Sequence, residues 1–125
     1  PQWVRGALVR ECFFEPTFHK FQGKLCNGLM LHTDFPGYQP SKLKPFRFVA
    51  LMLKCIRELY PKYPIYRDFA YEYVLDKLAF DVINGGPKLR EWIEDPEAKP
   101  AALEKALKAD EQSWAKETRK YWLYR

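Results

Sequence analysis

The sequence predicts an α+β fold: a small, mostly antiparallel sheet with about four helices packed mainly on one side. Three observations lead there. Short apolar-alternating runs lie at residues 7–14, 28–34 and 121–124, with a weaker pair at 65–66. Stretches with helical spacing lie at about 45–60, 77–84, 87–94 and 100–116, separated by proline and glycine. The chain of 125 residues is 47% hydrophobic and 17% aromatic, enough for one domain spanning 1–125, its aromatics suiting a core rich in rings or a surface that stacks on sugars or bases.

In order, residues 7–14 (Ala-Leu-Val-Arg-Glu-Cys-Phe-Phe) alternate as a strand. Leu8, Arg10, Cys12 and Phe14 share one face, which points Arg10 toward a core-side rim or a cleft. A satisfied edge arginine is the commoner case. Residues 15–28 follow, punctuated by Pro16, Gly23 and Asn27-Gly28. They read as a long loop and turn, and long loops on a scaffold often bind ligands. Thr17, His19 and Lys20 lie close together there, interleaved with Phe18 and Phe21. A cation beside an aromatic shelf suits a sugar or stacked ring; alternatively, the two phenylalanines plug the loop onto the core.

The run 28–34 is read as a strand that delivers His32 and Asp34 to its C-terminal end, on the face away from Leu29 and Leu31. After a turn-rich link, the helix at 45–60 presents Phe46, Val49, Leu53, Ile56 and Tyr60 as its inward stripe, widened by Ala50 and Leu51, and Tyr60-Pro61 stops it. Residues 61–75 read as irregular. Gly85-Gly86 ends the next short helix, and Pro87 opens a third with Leu89, Trp92 and Ile93 inward. Pro100 opens a fourth, with Leu103, Ala106, Leu107 and Trp114 as a modest stripe and Glu104–Lys108 as an i,i+4 pair. The aromatic run 121–124 reads as a strand returning to the sheet.

Charge is unevenly placed. Residues 1–67 hold eleven Lys/Arg against four Asp/Glu, and residues 68–125 hold ten against twelve. A basic front half suits a negatively charged partner, and solvated lysines are the plain alternative. No nucleic-acid-binding signature accompanies the charge, so nucleic acid ranks below a glycan. No apolar run reaches the ~18 residues of a membrane span.

Candidate chemistry is sparse. His32 and Asp34 suit an acid–base pair or ligands. Cys26 near His32 lacks an orienting third group for thiol catalysis. Glu11, Glu15 and Asp34 include no spacing that demands a glycosidase pair. Cys12, Cys26 and Cys55 form no zinc pattern; Cys12 and Cys26 could bridge under oxidising conditions, and Cys55 falls in the helical apolar pattern as a small core residue. No metal, cofactor or complete catalytic set is expected.

The stretch Phe14-Glu15-Pro16-Thr17-Phe18-His19-Lys20-Phe21, then Gly23-Lys24-Leu25-Cys26-Asn27-Gly28, then Leu31-His32-Thr33-Asp34 resembles the C-terminal domain of the NamZ-like exo-β-N-acetylmuramidase family. The likeness continues through Leu59-Tyr60-Pro61, Phe80-Asp81, Gly86, Leu89-Arg90, Trp114, Arg119 and Tyr121-Trp122-Leu123-Tyr124. It departs at His19, where the family usually has Ser, and at Phe35, where an Arg is usual. The resemblance implies a piece cut from a two-domain parent in the periplasm or outside the cell. A Rossmann-like N-terminal domain of the same parent would supply the catalytic acid. The present domain would close one wall of the cleft around a muropeptide or other glycan, with Thr17, His19, Lys20, His32, Asp34 and Arg10 as substrate-binding candidates.

Overall fold

A computed structural model describes residues 2–124. Among them are two strands, β1 (Leu8–Phe14) and β2 (Cys26–His32), and four α-helices: α1 (Pro45–Leu59), α2 (Ala79–Ile83), α3 (Lys88–Glu94) and α4 (Pro100–Thr118). Short 3-10 turns lie at Gln2–Val4 and Arg119–Tyr121. The α+β class holds, and the chain gathers into two compact units, Pro1–Phe48 and Val49–Arg125.

The first unit is built on one antiparallel hairpin. Its register runs from Leu8↔His32 to Phe14↔Cys26. β2 therefore begins two residues earlier than the sequence pattern implied and ends at His32, leaving Thr33 and Asp34 beyond it. The cause is local. Gly23, at φ 68°, makes the turn instead of Asn27-Gly28. Asn27 is then free to pair within the ribbon, its Nδ2 donating to Glu11 Oε1 at 2.7 Å. Beneath the hairpin's open end, Gln39 N donates to Gly6 O at 2.8 Å and Lys44 N to Trp3 O at 3.0 Å. Gly6 sits at φ 86°, and a Cβ there would meet Gln39 O at 2.5 Å, so this crossing requires glycine. Trp3 and Leu43 are the buried apolar residues of this unit.

Residues 121–124 do not return to the sheet. Tyr121 ends a 3-10 turn, Trp122–Tyr124 have no strand partner among the described residues, and the sheet is two-stranded. Residues 65–66 are not a strand either; the pairing nearby is an isolated Tyr71↔Val74 bridge.

The second unit has the larger core: Ala50, Ala79, Leu89, Trp92, Ile93 and Leu103. All three residues expected inward on α3 are buried. On α4 Leu103 is buried, but Trp114 is 65% exposed. The expected stripe of α1 is only partly inward. Phe46 is 48% and Tyr60 62% exposed, while Arg47, Ala50 and Lys54 are buried. Lys54 Nζ donates to Trp92 O at 3.1 Å and Asp95 O at 2.6 Å, and lies 4.9 Å from the Trp92 ring centroid. It thereby satisfies carbonyls left open at the end of α3. Cys55, expected in the core, is exposed. Asp81 and Arg90 form a two-pronged pair, with Arg90 Nε at 2.9 Å and Nη2 at 2.7 Å from the carboxylate oxygens. Carboxylate bonding outweighs burial and raises the Arg90 pKa. The Phe80-Asp81…Leu89-Arg90 motif is thus a clasp between α2 and α3.

Candidate functional site at the open end of the hairpin

Residues paired across an antiparallel ribbon share a face. One face carries Leu8, Arg10, Cys12 and Phe14 from β1, with Cys26, Gly28, Met30 and His32 from β2. At its open end three polar residues form a chain. Arg10 Nε donates to His32 Nε2 at 2.9 Å, and His32 Nδ1 meets Asp34 Oδ1 at 3.2 Å. A guanidinium Nε–H can only donate, so Nε2 carries the lone pair and Nδ1 the proton that goes to Asp34. The imidazole is largely covered, whereas the Asp34 carboxylate is 83% exposed. The His32 hydrogen bond first, and Asp34's own backbone amide second, hold the Asp34 carboxyl below its usual 3.8.

Thr17, His19 and Lys20 are not beside this chain. They lie in the loop at the opposite tip of the hairpin, beyond Phe14↔Cys26. Six residues separate that pair from Leu8↔His32, roughly 20 Å along the strands. The loop is exposed, and Phe18 and Phe21 do not plug it onto a core. Phe18 packs edge-to-face on His19 at 5.1 Å. His19 and Phe21 hold φ of 61° and 60°, a left-handed conformation that costs about 1 kcal/mol or more for a residue with a Cβ. Lys20 and Lys24 border a shallow hollow of about 600 Å³ floored by Phe14, Phe21 and Cys26. The candidates thus divide into two groups: Arg10, His32 and Asp34 at one end, and Thr17, His19 and Lys20 at the other.

Sequence reasoning passed over the surface between them. Phe14 lays its ring over Gly28, where an added Cβ would come within 3.1 Å of a ring carbon. Met30 is exposed next along β2. The available signal was a glycine inside a strand pattern, which marks close approach as often as a turn. The three cysteines are free: Cys12 faces Gly28, and Cys26 faces Phe14. Such a diagonal arrangement holds two Cα atoms about 7–8 Å apart, too far for a bridge. Among the described residues no group of three or more His, Cys, Asp or Glu is placed to hold a metal. No helix among them is long and apolar enough to cross a membrane.

A small α+β domain with a polar chain on a bare hairpin defines a class, and comparison with known families places it. The family described as exo-β-N-acetylmuramidase NamZ, C-terminal, matches residues 1–124, and the chain belongs to it. It is 29% identical over 122 residues to the peptidoglycan β-N-acetylmuramidase NamZ of Bacillus subtilis (strain 168). That alignment covers 95% of this chain but 26% of the relative, so the chain spans about a quarter of the relative's length. No solved structure matches the chain.

Proposed function

We propose that the chain acts as the C-terminal domain of a peptidoglycan exo-β-N-acetylmuramidase, forming one wall of the substrate cleft and helping to bind a terminal N-acetylmuramic acid. The catalytic acid belongs to a separate, Rossmann-like N-terminal domain of the same parent, working outside the cytoplasmic membrane where peptidoglycan fragments are released. Family membership supports the class of enzyme. The observation that supports the wall role is the exposed ribbon face carrying Arg10, His32 and Asp34 beside the open Phe14–Gly28 surface. The loop, about 20 Å away, is too far to share one sugar ring with that chain, so Thr17, His19 and Lys20 meet the distal part of a longer fragment.

The test is an amide-shift titration of the chain with a disaccharide ending in non-reducing N-acetylmuramic acid, with product followed in the same tube. Shifts at Arg10, Met30, His32 and Asp34 without turnover are expected. No shift on the ribbon overturns the wall role, and turnover overturns the assignment of catalysis elsewhere. A second reading, a non-catalytic binder of anionic cell-wall polymer, draws on the seven Lys/Arg against three Asp/Glu in residues 1–48. Polymer affinity that falls steeply with salt, with no response to the disaccharide, would favour it.

A further inference from the structure

We propose that Arg10 reads a carboxylate, held in position through its Nε by the His32–Asp34 pair, and that its ligand is the lactyl carboxylate that distinguishes N-acetylmuramic acid from N-acetylglucosamine. The proposal rests on the cleft-wall reading and deepens it.

Arg57 and Arg90 each bind a carboxylate directly, Glu94 at 2.9 Å and Asp81 at 2.7 Å. Arg10 binds an imidazole instead, and the carboxylate lies one residue further on. Within the paired strands no acidic side chain shares its ribbon face: Asp34 lies beyond them on His32, and Glu11 points to the other face, where Asn27 holds it. The two terminal nitrogens of Arg10 have no protein partner among the described residues, and the side chain is exposed. With Nε spent on His32, the guanidinium keeps one planar edge of two parallel donors, which matches the two oxygens of a carboxylate.

His32 in turn has both nitrogens engaged, so it is not an acid–base group in this arrangement. It orients Arg10 and links it to Asp34, with the imidazole rather than the carboxylate meeting Arg10 Nε. The neighbouring surface suits the rest of the ligand. Met30 and the Phe14 ring over bare Gly28 offer an apolar shelf to the face of a pyranose, on the same side of the ribbon as the cation.

The experiment compares N-acetylmuramic acid with N-acetylglucosamine as ligands of the 125-residue chain, observed at backbone amides and at the Arg10 Nε–H resonance. N-acetylmuramic acid is expected to bind about tenfold more tightly and to shift Arg10, Met30 and His32. Arg10→Lys keeps the charge and loses the fork, and should erase most of that preference. His32→Ala should lower it as well and move the Arg10 Nε–H resonance. Asp34→Asn, whose carbonyl still accepts from His32, should retain more of the preference than Asp34→Ala. Equal binding of the two sugars overturns the carboxylate site and leaves the cleft wall standing. No ribbon response to either overturns both. An unaltered preference in His32→Ala overturns the positioning role alone.

Discussion

Asp34 shows how one hydrogen bond sets a titration. Its carboxylate is open to water, yet it accepts from His32 and titrates below 3.8. A folded-state pKa lowered in this way stabilises the fold above the unfolded value, and that contribution is lost as pH falls through the folded one. The Asp34 side-chain resonance should therefore show a midpoint below 3.8, moving up toward it in His32→Ala; an unmoved midpoint would mean that the hydrogen bond does not set the shift. Tyr66 shows the opposite direction. Burial first, and the neighbouring Glu94 second, push its phenol above the ordinary 10. Its hydroxyl is buried, with no hydrogen-bond partner among the described residues.

The helices were legible where apolar spacing and burial agree. Leu89, Trp92 and Ile93 recur at helical intervals and are buried, and Pro87 and Gly85-Gly86 frame α3 as the sequence pattern implies. The pattern misled on α1 because periodicity registers lysine as solvent-facing. It carries no information about backbone carbonyls 38 and 41 residues away that Lys54 can satisfy. The hairpin shows a second limit. Alternation placed Arg10 and His32 on faces correctly, but only the register joins them, and Gly28 was read as a turn because its role depends on Phe14 across the strand. Which end of the ribbon held the loop residues was likewise a matter of pairing. Lys54→Met would fill similar volume and strand those carbonyls, at an expected cost of about 2 kcal/mol. Urea denaturation checks this: an unchanged midpoint would show that the carbonyls find other donors.

At the scale of the whole molecule, much apolar surface faces water. Trp114 and Trp122 are 65% and 56% exposed, and Trp122 borders a hollow of about 640 Å³ lined by Lys116, Arg119 and Lys120. Trp3 and Trp92 are buried. Quenching should therefore separate the four tryptophans into two accessible and two protected, with iodide more effective than caesium because cations surround Trp122. Equal quenching by the two ions would mean that those cations do not control the approach. Buried apolar side chains are also shared unequally between the units: Trp3 and Leu43 in the first, Ala50, Ala79, Leu89, Trp92, Ile93 and Leu103 in the second. The free energy of local opening follows such differences. In hydrogen exchange, amides of β1 and β2 are accordingly expected to open through partial excursions of the first unit, and those around Ile93 only through larger ones. A ligand seated on the ribbon would slow exchange most in the part of the chain with the least core to hold it.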